Sequence, residues 1–195
     1  MNDRPPASTV VATHIGIAAG GAEGAALCYR TICTKAAAIF GRHGHPQLTM
    51  HTYPLVDYMG YIGAGRWSEV GTMLLSSADR LRRAGAQLLV CPDNTAHQGL
   101  DLVRDQSPLL WLHIAEVAAR HRFRRELIRG TRYLTEGPAY PVKLDAVGIG
   151  HEIPDSPTRA RVNALTLGEL VYDRFEAATR ACFVDVIEQF KQRGS

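Results

Sequence analysis

The stretch that most limits how this chain can fold is Leu88-Leu89-Val90-Cys91-Pro92-Asp93-Asn94-Thr95-Ala96-His97. An apolar run of strand length stops at a proline, and a polar cluster follows at once. A run that is apolar throughout, rather than alternating, suits a strand covered on both faces, as in a parallel sheet. Asn94 and Thr95 are good N-cap residues for a following helix, whose first backbone N–H groups can hold an anion such as a carboxylate. The local reading is therefore strand, sharp turn and helix N-terminus, with a polar tip at the strand end where open α/β sheets place their ligands.

The same alternation recurs along the chain. Residues 1–10 read as a loosely held leader. Thr13 to Ala19 is a short buried strand, and glycines follow it at Gly20-Gly21-Ala22-Glu23-Gly24. They let the backbone approach a ligand as a helix begins, although the run matches neither the dinucleotide fingerprint nor a phosphate-binding P-loop. Ala22 to Phe40 reads as a helix and Leu48 to Tyr53 as a strand. Ser68 is the expected cap of a helix to Ala84, with Val70, Leu74, Ala78 and Leu81 on one face. Ala86 to Cys91 and Leu109 to His113 are further strands, and Ala96 to Arg104 and Ile114 to His121 their helices. Glu126 to Gly130 and Ile149 to Ile153 follow as strands, separated by a helix from Tyr140 to Val147. Thr158 to Tyr172 and Glu176 to Arg193 close the chain as helices, the last with Phe183, Val184, Ile187 and Phe190 on its apolar face. Strands and helices joined by short connections make an α/β fold of parallel sheets with right-handed crossovers. A restart after Pro108 divides it into two lobes, 11–108 and 109–195, with a cleft between their strand ends.

Composition narrows the function. A net charge of +3 is too small to imply a nucleic-acid partner. The basic run from Arg120 to Arg125 is read as a solvated helix end, its cations suited to the negative C-terminal dipole. No apolar run approaches the ~18 residues of a membrane span, and the N-terminus lacks the basic region and apolar core of a secretory signal. Cys28, Cys33, Cys91 and Cys182 form neither a disulfide ladder nor a zinc pattern, so reduced thiols in a cytoplasmic protein are expected. His43 and His45 have no third ligand nearby and give no metal site.

Four features in this order resemble the aspartate/glutamate racemase superfamily: the glycine-rich loop from Ala18 to Ala25, Pro92 to His97, Gly130-Thr131-Arg132, and Glu169 to Tyr172. The resemblance spans about residues 13–194. It implies two pseudo-symmetric lobes that bind an amino acid or related carboxylate between them, without pyridoxal phosphate or metal. It also implies inversion of an α-carbon by two opposed acid–base groups, one per lobe. Asn94, Thr95 and Thr131 stand at the positions that grip the carboxylate, joined by backbone N–H groups of the loop Gly20, Gly21 and Ala22. Homodimer formation is left open.

The chain departs from that pattern in three places. Asp93 stands where the family carries its N-lobe cysteine and becomes the candidate catalytic residue. A carboxylate of pKa ~3.9 against ~8.5 for a thiol is a weaker base by about 6 kcal/mol, which burial can partly recover. Cys91, two strand residues back, lies roughly 6–7 Å from the tip and is a poor substitute. Second, family members continue past the last helix into a strand bearing a second cysteine and a closing helix, so the second lobe is expected to be incomplete. Third, Tyr58 and Val171 match the cationic positions that bind a distal carboxylate, and their neutrality disfavours an acidic amino acid.

Three functions follow: a cofactor-independent amino-acid racemase-type isomerase, a single-base lyase or isomerase of the same superfamily, or an inactive shortened homologue that binds carboxylates. His97 and His113 are each open to two readings, a hydrogen-bond partner of the site or a packed histidine. Glu116 is expected to support the helix that follows His113.

Overall fold

A computed structural model describes residues 13–121 and 123–193. The leader expected over residues 1–10, and Arg122 of the basic run, lie outside them. Strands β1 (Ile15–Ala19), β2 (Leu48–Thr52), β3 (Leu88–Val90) and β4 (Leu110–Leu112) form one parallel sheet in the order β2-β1-β3-β4. Strands β5 (Arg125–Leu127) and β6 (Gly150–Glu152) form a second, two-stranded parallel sheet. Helices α1 (Ala22–Phe40), α2 (Leu55–Gly63), α3 (Trp67–Arg83), α4 (His97–Val103) and α5 (Ile114–Arg120) accompany the first sheet's strands. Helices α6 (Arg132–Thr135), α7 (Pro141–Ala146), α8 (Ser156–Gly168) and α9 (Ala177–Gln192) belong with the second.

The strand order fixes where a site can form. The chain moves from β1 outward to β2, then crosses back over β1 to β3. The connections after β1 and β3 therefore leave on opposite sides of the sheet, and the carboxyl ends of these neighbouring strands form the switch point at which open α/β sheets place their ligands. The register Ile15↔Leu88 to Ile17↔Val90 aligns the two strand ends, which brings the glycine loop beside the turn after Val90.

Burial explains why these segments form these elements. Val70, Leu74, Ala78 and Leu81 of α3 are fully buried and pack on one face of the first sheet with Leu89 and Leu100. The other face carries a smaller cluster of Ile17, Ala19 and Ala25, closed by α1. A separate cluster of Ile128, Leu134, Tyr140, Leu144 and Ile149 forms the core of the second sheet. Two cores for two parallel sheets are the two-lobed α/β architecture expected.

Several local expectations are corrected. β4 lies beyond the division expected at residue 108, yet it pairs with β3 (Leu88↔Leu110 to Val90↔Leu112). The break between sheets therefore follows Leu112. Ser68 does not cap α3: the helix starts one residue earlier, and its N-cap, Arg66, offers no side-chain bond. The helix expected to reach Tyr172 ends at Gly168, and a 3₁₀ turn, Leu170–Tyr172, follows. Its true N-cap is Asp155, which accepts from the Thr158 N–H at 2.8 Å. On α9 the buried stripe is Thr179, Cys182, Val186 and Phe190, whereas Val184 is exposed.

Candidate active site

The turn after β3 is built by the side chain of Asp93. Its Oδ1 accepts hydrogen bonds from the backbone N–H groups of Thr95 (3.0 Å) and Ala96 (3.4 Å). The capping expected of Asn94 and Thr95 does not occur: α4 starts only at His97, its N-cap is Ala96, and Asp93 holds the turn that precedes it. Gly20 makes room for this carboxylate. A Cβ at Gly20 would collide with the Asp93 side chain, and one at Gly24 would stand 3.3 Å from the Pro92 carbonyl oxygen. The glycine loop and the β3 turn are therefore in contact, as the strand order requires. A Cβ at Gly21 would meet nothing within 4 Å, and Ala22 is exposed.

At the boundary between the lobes, Thr95 is 8% exposed and its hydroxyl lies 2.9 Å from the hydroxyl of Thr131, the N-cap residue of α6 in the second lobe. The structure thus brings Gly20, Asp93, Thr95 and Thr131 into one continuous arrangement. Asn94 lies beside them, partly exposed, and its side-chain amide makes no hydrogen bond among the described residues. The lobes are tied together further by the Gln98 amide donating to the Tyr133 carbonyl and by Lys143 pairing with Asp101 at 2.6 Å. Gln98 and Tyr133 went unnoticed in the sequence, although Gln98 lies just one helical turn beyond Asn94.

Burial sets the protonation of this region. It pushes the Asp93 carboxyl above the ordinary carboxylate range, while the Thr95 and Ala96 N–H groups pull in the opposite direction. The shift makes Asp93 a stronger base than a free aspartate. Cys91 is buried, and its thiol is raised well above the usual cysteine value by burial and by the neighbouring Asp93. Its Sγ faces the Asp93 carbonyl oxygen at 3.6 Å, so it supplies no thiolate to the crevice.

Behind the turn lies a buried aromatic group. His97 is 1% exposed, and its Nε2–H donates to the Cys91 carbonyl at 3.0 Å. Nδ1 is then the bare acceptor of a neutral ring, and it is buried without a partner among the described residues. His113 meets His97 edge-on at 4.4 Å between ring centres, and Tyr140 stacks on His97 at 6.4 Å. Burial lowers the pKa of His97 and takes His113 down to about 3. Both histidines are neutral supports of the turn at physiological pH. Glu116 pairs with Arg104. Tyr58 is buried in the first core, and Val171 sits partly buried in the 3₁₀ turn after α8. Among the described residues no group of three or more His, Cys, Asp or Glu side chains is placed to hold a metal ion, and no helix is long and apolar enough to cross a membrane.

Known proteins share this arrangement of chain. The structure resembles that of a protein from Yersinia pestis described as an Asp/Glu racemase, with a TM-score of 0.78 and 25% sequence identity over 93% of this chain and 82% of that one. It also resembles an aspartate racemase homologue from Pyrococcus horikoshii OT3, with a TM-score of 0.72 and 22% identity over 93% and 80% of the two chains. For the aspartate racemase of Picrophilus torridus the TM-score is 0.61, with 16% identity over 87% and 71%. The last two, at such low identity, speak for the fold alone. The sequence profile of the Asp/Glu/hydantoin racemases matches residues 21–195, and on that match, nearly the whole of its length, the chain belongs to the Asp/Glu/hydantoin racemase family.

Proposed function

We propose that the protein is a cofactor-independent isomerase that moves the α-proton of an amino acid or related carboxylate in the crevice between its lobes. The observation that carries this reading is the convergence of Asp93, seated against Gly20, with the 2.9 Å contact between Thr95 and Thr131. Asn94, Thr95 and Thr131 supply side-chain donors for the substrate carboxylate, and the backbone of Gly20, Gly21 and Ala22 closes the pocket from the first lobe. Asp93 is the base: its raised pKa brings it closer to the demands of carbon deprotonation, and the enclosed carboxylate acts in a site from which water is largely withdrawn. The cytoplasm suits its four free cysteines.

A second reading is favoured by the side chain that the second lobe brings to this arrangement. It is Thr131, hydrogen-bonded to Thr95, and a hydroxyl does not titrate near neutral pH. One base opposed by a hydroxyl exchanges or rearranges a carboxylate without inverting it. Incubation in heavy water with a panel of L-amino acids separates the two. Deuterium at the α-carbon with inverted configuration supports racemisation, whereas deuterium with retained configuration supports the single-base reaction. Absence of exchange with every substrate leaves a carboxylate-binding homologue without turnover. Activity that survives a chelator and hydroxylamine supports independence from metal and pyridoxal phosphate.

A further inference from the structure

Tyr140 belongs to both halves of the molecule. Its ring is 9% exposed and packs in the core of the second sheet with Ile128, Leu134, Leu144 and Ile149. The same ring stacks on His97, 6.4 Å away with 24° between the planes, and meets His113 at 6.1 Å. Both histidines belong to the first lobe, where His97 opens α4 and His113 follows β4. The Tyr140 hydroxyl is buried and makes no hydrogen bond among the described residues, so it is the ring that makes the contact. Burial and the charges of Cys91 and Asp93 raise the phenol above its ordinary value, which keeps it neutral.

A second contact between the same two helices holds this one in place. Tyr140 is the N-cap residue of α7, and its carbonyl accepts from the Leu144 N–H at 2.9 Å. Lys143, three residues on, pairs with Asp101, which lies four residues beyond His97 on α4. Residues three or four apart share one face of a helix, so α7 lies against the face of α4 that carries His97.

His97 carries the contact to the candidate site. Its Nε2–H donates to the Cys91 carbonyl and closes Cys91 to His97 into a loop that contains Asp93, Asn94 and Thr95. Held edge-on by His113 and face-on by Tyr140, the ring has little room to tip. Close-packed interiors transmit a displacement rather than absorb it. With the Tyr140 ring gone, His97 is free to turn from Cys91, and the seat of the Asp93 carboxylate on the Thr95 and Ala96 N–H groups loosens with it.

We propose that Tyr140 is a positioning residue through which the second lobe fixes the turn that carries Asp93. The inference deepens the reading of Asp93 as the base, and rests on that reading for its effect on turnover.

Amide hydrogen exchange followed by NMR tests the proposal without a substrate. In Tyr140→Leu the Thr95 and Ala96 amides are expected to exchange at least about tenfold faster than in the wild type, while those of β1 keep their wild-type rates. Tyr140→Phe keeps the ring and removes only the unpartnered hydroxyl, so it is expected to match the wild type throughout. Unchanged Thr95 and Ala96 amides in Tyr140→Leu overturn the proposal, as does a Tyr140→Phe that behaves like Tyr140→Leu. Acceleration spread evenly into β1 marks a role in stability alone and overturns it too. Should Tyr140→Leu fail to fold, Tyr140→Met, whose flexible side chain fills irregular gaps, is read by the same criteria, and failure of both to fold likewise assigns a structural role. In turnover, α-deuterium exchange by Tyr140→Leu is expected to fall by at least about tenfold and to be kept by Tyr140→Phe. A wild type that exchanges no substrate proton defeats the reading of Asp93 as base, while the amide rates still decide the role of Tyr140.

Discussion

Asp93 combines two roles that substitution can separate. As an acceptor for the Thr95 and Ala96 N–H groups it holds the turn, and as a carboxylate it is the candidate base. Asp93→Asn keeps a carbonyl acceptor in the same place, so its stability is expected to stay near that of the wild type while α-deuterium exchange is lost. Asp93→Ala removes the acceptor as well and is expected to cost about 1 kcal/mol, the usual net worth of a lost hydrogen bond. Chemical denaturation and exchange assays on the pair check both. The histidines give a pH signature. The folded-state pKa of His113, about 3, lies below its unfolded value of ~6.5, and that of His97 is lowered as well. Their contribution to stability is present above ~6.5 and is lost as pH falls toward 3, at up to about 1.4 kcal/mol per pH unit for each. Asp93 has the opposite sign: its raised pKa favours the fold below ~3.9 and loses that contribution as pH rises through the folded value. Urea midpoints at pH 7, 5 and 4 are expected to decline, and less steeply in His113→Gln; an equal slope in that variant would rule His113 out as a cause. Asp93 and Thr95 were legible as members of one strand-end turn because that pattern is local, whereas Thr131, 36 residues on, was joined to them only through the family resemblance. The partners of His97 were not legible, because Tyr140 and His113 reach it only through tertiary packing.

Elements were legible in proportion to how far their own periodicity decides them. The bounds of α1 match the sequence reading, and α3 is displaced by one residue, since each carries a long helical pattern. α2 was missed: nine residues containing Gly60 and Gly63 carry little helix propensity, and burial of Tyr58 and Ile62 against the first core holds them helical. The apolar face of α9 was misjudged because Val184 and Cys182 are both apolar, and which of them turns inward is settled by the sheet rather than by the helix. Close packing of α3 on α4 rests on a glycine pair. A Cβ at Gly71 would stand 2.7 Å from the Gly99 carbonyl oxygen, and one at Gly99 would stand 2.8 Å from the Gly71 nitrogen. Gly99→Ala is expected to destabilise by about 1–3 kcal/mol, because backbone on each side leaves no flexible neighbour to yield. Thermal unfolding measures this, and an unchanged midpoint would show that the helices separate without penalty.

At the scale of the whole molecule, the two cores do not merge. Contacts between the lobes include the Thr95–Thr131 and Gln98–Tyr133 hydrogen bonds, the Asp101–Lys143 pair, Tyr133 edge-on to Trp67 at 6.5 Å, and Tyr140 against His97 and His113. The polar members of this set exchange their partners for water with little net change in free energy, whereas an apolar core does not. Hydrogen exchange is expected to show the amides of α6 and α7 opening well before those of β1 and β3, with the gap widening in Lys143→Met. Uniform protection across both lobes would contradict this. A molecule joined along such a line is expected to gape and shut without melting either half, and so to admit a small guest between them.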